Sequence, residues 1–252
     1  MTLRSPGLFI TGTDTGVGKT VVTAALLTLL RARGVDAVPM KPVQTGCRRV
    51  RGGLHAPDLD FVLRMAGLHP PVEELSWMCP YRFAPACSPH LAARRAHADI
   101  RLGRIRDGFR RLGRRHAAVL VEGAGGVLVP LDARHTMLDL MQDLGLPVVL
   151  VARPGLGTIN HTLLSLAALR GAGLRIAGVL LVDTQPRRWG TIERDNAATV
   201  ARLGRVAVLG RLPYLAGLGR TLAPAAFRAA VARSARQWPA HPADWAGITG
   251  RA

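Results

Sequence analysis

Along the chain, short blocks of consecutive apolar residues alternate with longer stretches in which apolar positions recur every three to four residues. The short blocks are Gly7–Thr11, Ala37–Met40, Ala117–Glu122, Pro147–Val151, Ile176–Val182 and Val206–Leu209. Several of them, VVLV and GVLLV among them, are apolar on both faces, as strands buried in a parallel sheet must be. Helical spacing fills Lys19–Arg33, Asp58–Ala66, Met137–Leu144, Thr158–Arg170, Ile192–Leu203 and Pro224–Ala235. Strand and helix in strict alternation predict an α/β fold: a doubly wound, mostly parallel sheet with helices on both faces.

No internal repeat and no linker interrupts this pattern, so residues 1–252 are expected to form one domain, with 238–252 a loosely ordered tail. The most apolar stretches, Val21–Leu30 and Leu146–Ala152, are too short to span a bilayer, which takes about 20 residues. Gly7–Thr11 is too short for the apolar core of a secretion signal. A cytoplasmic protein with no membrane partner is expected. Cys47, Cys79 and Cys87 form no CxxC pair and are expected to be ordinary reduced thiols.

The formal charge of +18 raises the possibility of nucleic-acid binding. The type of basic residue argues against it. Only Lys19 and Lys41 are lysines and the other 32 are arginines, the mark of a compositional bias. The densest run, Arg94–Arg115, has leucines and glycines interleaved and reads as the solvated face of a helix. The two lysines stand out against this background. An ammonium is a compact charge with three donors, suited to a phosphate already held by backbone amides.

Lys19 closes Gly12-Thr13-Asp14-Thr15-Gly16-Val17-Gly18-Lys19-Thr20, between a strand and a helix. Such a loop aims successive backbone N–H groups and a helix N-terminus at an anion. Lys19 would reach the β- and γ-phosphates, and the Thr20 hydroxyl would bind Mg²⁺. Five residues separate Gly12 from Gly18, one more than the usual spacing. Lys41 lies in Met40-Lys41-Pro42-Val43-Gln44-Thr45-Gly46 at the end of the next strand, where open α/β sheets bind ligands. In Val119–Gly126 a strand ends in Glu122 and then glycines, which admit a ligand close to the backbone. Magnesium beside phosphates takes one or two carboxylates, and Glu122 qualifies. Asp58 reads equally as a second ligand or as a helix N-cap, with Asp60 the weaker candidate. Leu156–His161 offers free N–H groups at a helix start, a place for a carboxylate, and His161 there is expected to be structural.

Together GTDTGVGKT, KPVQTG, the PD of APDLDF, the SPH of Ser88–His90, VEGAGG and LGTINH, in this order over residues 7–215, resemble the dethiobiotin synthetase family, whose loop carries the same extra residue. The resemblance implies a P-loop NTPase-like fold, a homodimer, and an ATP- and Mg²⁺-dependent C–N cyclo-ligase. Its substrates are 7,8-diaminononanoate, CO₂ and ATP. One amine traps CO₂ as a carbamate, whose oxygen takes the γ-phosphoryl group. The second amine then attacks the carbonyl, closes the ureido ring and releases phosphate.

It further implies that Gly16, Val17, Gly18, Lys19, Thr20 and Val21 embrace the phosphates and that Thr20, Asp58 and Glu122 bind Mg²⁺. Lys41 and Lys19 would be catalytic, neutralising charge on the carbamate and the transferring phosphoryl group. Gly123, Ala124 and Gly125 join the nucleotide site, Thr15 and Thr45 the substrate site. Gly157 and Asn160 match the helix start that receives the substrate's distal carboxylate from the neighbouring subunit.

Two positions depart from the family pattern. Gly16 stands where some members carry an acid, and Val182-Asp183 where some have an Asn-Asp pair at the base. The base pocket, at Asp183 and with Leu212, Pro213 and Tyr214 as a wall, is therefore expected to rest on backbone contacts. Two rivals share the architecture. Cobyrinate-type amidoligases carry a glutaminase domain for which 252 residues leave no room. ParA/MinD-like switches place an extra lysine early in the loop, where this chain has Thr13, Asp14 and Thr15.

Overall fold

The computed structural model describes residues 7–218, 221–241 and 244. In chain order the elements are β1 (Gly7–Gly12), α1 (Lys19–Ala32), β2 (Ala37–Met40), β3 (Val43–Gln44), β4 (Arg48–Val50), β5 (Gly53–His55) and α2 (Pro57–Ala66). There follow α3 (Val72–Met78), β6 (Tyr81–Arg82), α4 (Pro89–Arg95), α5 (Leu102–Arg115), β7 (Ala118–Gly126) and α6 (Met137–Leu144). The last are β8 (Val148–Ala152), α7 (Thr158–Gly171), β9 (Ile176–Val182), α8 (Thr191–Gly204), β10 (Val208–Leu212) and α9 (Pro224–Ala235).

Six strands form one parallel sheet in the order β10-β9-β8-β1-β7-β2. Each strand sends alternate side chains to two cores. In β1, Leu8 and Ile10 face one side and Phe9 the other; in β7, Ala118 and Leu120 oppose Val119 and Val121. The first side is covered by α1 and α9, the second by α5, α6, α7 and α8, while α2 wedges between, giving Val62 and Met65 to one core and Leu59 and Leu63 to the other. Burial on both faces is why these strands read as unbroken apolar runs. From β1 the chain steps to β2 over a slot that β7 fills later, then crosses to β8 on the other side. Strand order therefore reverses beside β1, and the crevice at the carboxyl ends there is where such sheets bind ligands.

All six predicted strands are in the sheet, the last shifted from Val206–Leu209 to Val208–Leu212. The Arg94–Arg115 segment is two helices rather than one face, broken by His97 in the left-handed region (φ 48°). Nor is α5 a free basic surface. Arg106 pairs with Asp143 at 2.6 Å, Arg115 with Glu73 and Glu74 at 3.2 Å each, Arg104 stacks on Tyr81, and Arg111 and Arg115 stack on Trp77. These arginines join helices, which leaves the nucleic-acid reading without its main support.

The predicted loose tail begins as core. Trp238 is 8% exposed, and its indole N–H donates to the Arg211 carbonyl at 3.1 Å. Residues 242, 243 and 245–252 of that tail lie outside the described residues. Phe227 of α9 is fully buried and meets Phe61 of α2 edge-on, 6.1 Å between ring centres. If α9 is part of one cooperative unit, Phe227→Ala will lower the unfolding free energy by about 3–5 kcal/mol, the usual range for emptying a buried aromatic site. Urea denaturation followed by tryptophan fluorescence and by circular dichroism will then show one coincident, shifted transition. Two separated transitions would make α9 an independent layer.

Candidate active site

The phosphate loop joins β1 to α1, the element order its sequence predicts. Gly18, the residue capping α1, has φ 100°, and a Cβ there would lie 2.7 Å from Val182 Cγ1. Only glycine fits both the conformation and the space. Gly12 has a different reason: a Cβ would stand 2.6 Å from Val17 Cγ2 and 3.2 Å from Lys19 Nζ. Val17 is wholly buried and does not line the cleft described below, so its side chain anchors the loop in the core.

At the carboxyl ends of β1, β2 and β7 the loop opens into a cleft of about 800 Å³. Thr15, Gly16, Gly18, Lys19, Thr20, Val21, Lys41, Thr45, Asp58, Glu122, Ala124, Gly125, Asp183, Pro213 and Tyr214 line it, which brings most of the sequence-predicted residues together. Gly123 contributes its carbonyl, which accepts from Lys41 Nζ at 3.3 Å.

At the centre lies a buried charge cluster. Lys41 Nζ is 2.6 Å from Glu122 Oε1 and 2.9 Å from Asp58 Oδ2, and the Thr20 hydroxyl donates to the same Glu122 oxygen at 2.7 Å. Burial acts to strip the Lys41 proton, but the two carboxylates outweigh it and the net shift is upward. Burial likewise disfavours the Asp58 carboxylate, and the Lys41 ammonium reverses that, holding its pKa below the usual range. Asp58 is therefore not the N-cap that one reading allowed. It is the second helical residue, behind Ala56 at the cap and Pro57, and its carboxylate points at Lys41.

Lys19 differs. It is 7% exposed and its ammonium donates to the Asp14 carbonyl at 2.8 Å. Burial first, then the Lys41 charge, lowers its pKa to about 8 against the partial opposition of Glu122, Asp14 and Asp58.

Thr20, Asp58 and Glu122 form a hard, all-oxygen donor set: the two carboxylates hold the Lys41 ammonium, and the Thr20 hydroxyl is bonded to Glu122. That chemistry fits Mg²⁺, which beside phosphates keeps few protein ligands. Among the described residues no cluster of three His, Cys, Asp or Glu side chains exists to suit a softer metal.

Two predicted placements change. Leu212 is fully buried in the core and is no pocket wall, although its carbonyl accepts from the Asp183 N–H at 3.0 Å. The Asp183 carboxylate is committed elsewhere: Arg211 Nε donates to one oxygen at 2.7 Å and Trp189 Nε1 to the other at 3.1 Å. It ties β9 to β10 and is not free to read a base. Gly157 and Asn160, expected to serve a neighbouring subunit's site, are exposed at the start of α7 and outside this chain's cleft, with His161 exposed beside them. The sequence reading missed Gln44, Ser88 and Thr184, all in the lining. Gln44 was detectable, as a polar residue on an otherwise apolar two-residue strand. Cys47, Cys79 and Cys87 are free, and burial pushes the first two upward, Cys79 to about 12, so neither is a reactive thiol.

Residues 6–221 match the family model described as an AAA domain. The chain is 48% identical over 214 residues to the ATP-dependent dethiobiotin synthetase of Anaeromyxobacter dehalogenans (strain 2CP-C), covering 85% of this chain and 92% of that one. It is 38% identical over 222 residues to the protein of that name from Thermodesulfovibrio yellowstonii, covering 85% and 91%. The chain belongs to the ATP-dependent dethiobiotin synthetase family. Solved structures add only the fold. The MinC–MinD cell division complex of Aquifex aeolicus superposes with a TM-score of 0.56 at 13% identity, covering 90% of this chain and 95% of that one. The Pyrococcus furiosus cell division ATPase MinD gives 0.54 at 17%, covering 92% and 99%. The rival reading as a ParA/MinD-like switch therefore reduces to shared architecture. Among the described residues no helix is long and apolar enough to cross a membrane.

A polyphosphate against Lys19 would raise its pKa again, which gives a linkage test. Near pH 6.5 the ammonium is protonated with or without ligand, so Lys19 will take up no proton when Mg²⁺–nucleotide, whose terminal phosphate is already ionised, binds there. Near pH 8.5 binding will take up roughly half a proton or more, and affinity will decline as pH climbs through about 8. Calorimetry in two buffers of different ionisation enthalpy measures that uptake; none at either pH would remove Lys19 from the phosphate site.

Proposed function

We propose that this chain is an ATP-dependent dethiobiotin synthetase, a ligase that closes the ureido ring from 7,8-diaminononanoate, CO₂ and ATP. The observation that carries this reading is the meeting of Lys41, Lys19, Thr20, Asp58 and Glu122 in one cleft beside Thr45. In this reading Gly16–Val21 cradle the triphosphate, and Thr20, Asp58 and Glu122 would hold Mg²⁺. The ion would supply neutralising charge at the phosphates.

The chemistry needs little else from side chains, because the substrate brings both nucleophiles. A substrate amine, giving up a proton, adds to CO₂ to form a carbamate. A carbamate oxygen attacks the γ-phosphorus and ADP leaves, giving a carbamic–phosphoric anhydride. The second amine attacks the carbonyl carbon and phosphate departs with its bonding pair. Activation is required because oxide is a far poorer leaving group than phosphate. Lys41 stands where an ammonium would meet the carbamate and the transferring phosphoryl group, and Lys19 would follow the β- and γ-oxygens. Preorganised charge of this kind commonly supplies the largest catalytic term. Holding amine, carbamate and γ-phosphate in register adds up to roughly 7–11 kcal/mol through effective molarity.

We further propose a homodimer in which the start of α7, with Gly157 and Asn160, reaches the substrate carboxylate held in the partner's cleft. Supporting this, Leu156, just before α7, is 98% exposed and Leu164, midway along it, is 63% exposed, apolar side chains that a second chain could cover. The free thiols Cys47, Cys79 and Cys87 favour the cytoplasm as the compartment.

Phosphate release should require diaminononanoate, bicarbonate, Mg²⁺ and ATP together; release indifferent to the diamine would sink the assignment. Lys41→Gln, which keeps a donor between the two carboxylates, should cut kcat by about 10²–10³ with ATP affinity nearly unchanged. Equal losses in both would make Lys41 a binding residue only. Leu164→Glu should yield monomers by light scattering, with a KM for the diamine raised about tenfold or more and nucleotide binding intact. A dimer that survives Leu164→Glu would exclude the α7 interface.

A further inference from the structure

Gln44 is a buried polar side chain in the cleft, 4% exposed, to which the family reading gives no role. Its backbone is fixed by β6 and the residue that follows it. Val43 and Gln44 pair in parallel with Tyr81 and Arg82, and the Phe83 N–H donates to the Gln44 carbonyl at 2.8 Å. Its side-chain amide is also used at both ends: Nε2 donates to the Thr45 carbonyl at 3.0 Å, and Oε1 accepts the Asp58 N–H at 3.3 Å. With one end facing an acceptor and the other a donor, the orientation of the amide is determined.

The second of these bonds has a specific cause. A helix leaves its first N–H groups unpaired, and the N-cap side chain ordinarily accepts from the second or third. In α2 the cap is Ala56, which has no acceptor, and the first residue is Pro57, which has no N–H. The Asp58 N–H is thus the first donor in need of a partner, and it finds one on a different strand. Gln44 is also only three residues beyond Lys41. The segment that delivers the ammonium therefore delivers the cap that fixes the carboxylate facing it. Lys41, β3, the Gln44 amide, the Asp58 backbone and the Asp58 carboxylate form a ring that closes at the 2.9 Å ion pair.

We propose that Gln44 is a positioning residue, a helix cap supplied from outside its helix that holds the Asp58 carboxylate at the Mg²⁺–nucleotide site. It touches no reacting atom and acts through Asp58. The inference rests on the reading above that Asp58 serves the cation.

Gln44→Leu removes the acceptor while keeping the bulk. The Mg²⁺ concentration that half-saturates binding of a non-hydrolysable ATP analogue, measured by calorimetry, should rise about tenfold, the lower end of what losing an outer partner of a metal ligand costs. Analogue binding without Mg²⁺ should stay within about twofold of wild type. Amide exchange at the start of α2 should quicken. Adding Ala56→Ser to Gln44→Leu supplies a cap within the helix and should restore slow exchange, but not the Mg²⁺ midpoint, because serine makes no link to β3. An unchanged midpoint in Gln44→Leu, or a midpoint fully restored by Ala56→Ser, would overturn the proposal. Asp58→Asn separates the two claims. If it shifts the midpoint and Gln44→Leu does not, Gln44 alone loses its role. If neither shifts it, Asp58 is no cation ligand and both readings fall.

Discussion

The structure turns on one buried ammonium. Lys41 lies almost wholly inside the protein, with Glu122 and Asp58 against its nitrogen. Two of these charges, Lys41 and Glu122, are removed from water and Asp58 is half-buried beside them; only their mutual attraction and hydrogen bonds make the arrangement tenable. Take away the ammonium and the buried Glu122 carboxylate is left uncompensated, at about 3–5 kcal/mol. The partners come from β7, α2 and the end of β2, so the charge balance fastens three separate parts of the sheet's carboxyl edge to each other. A site of this kind is rigid before a substrate arrives, as electrostatic stabilisation requires.

The same economy explains why the two lysines behave differently. Lys41, held by two carboxylates, keeps its proton and cannot easily leave. Lys19, held only by a backbone carbonyl, has its pKa lowered to about 8 and is the ammonium that an incoming polyanion would most change. One is a fixed element of the site, the other adjustable. Arginine is no equivalent in either place: a planar guanidinium would have to replace the close point contacts that Lys41 makes with Glu122 and Asp58 and that Lys19 makes with the Asp14 carbonyl. This accounts for two lysines persisting in a chain otherwise committed to arginine.

The arginines carry a different lesson. A +18 chain suggests an interaction with polyanions, yet on α5 four of the six guanidinium groups are engaged with Glu73, Glu74, Asp143 and the rings of Tyr81 and Trp77. On β10, Arg211 occupies the Asp183 carboxylate and stacks on Trp189. Charge counted along a sequence measures neither how much is paired nor where it points.

What the sequence by itself determined is whatever local chemistry decides. Strands buried on both faces must be apolar throughout, so all six sheet strands were legible within a few residues, as was the phosphate loop, where backbone conformation and close approach demand glycine at Gly12 and Gly18. Lys19, Thr20, Lys41 and Glu122 were legible for the related reason that each ends or follows a sheet strand. Tertiary structure decided what depends on pairing between distant segments. Whether Asp58 capped a helix or faced a cation and whether Asp183 was free or bound to Arg211 turned on neighbours 14 to 28 positions away, and whether Leu212 lined the cleft or filled the core turned on the packing around it. Gln44 is the clearest case. Its amide acquires a purpose only once α2 arrives with an alanine at its cap and a proline behind it, because hydrogen bonds are satisfied in space and not along the chain.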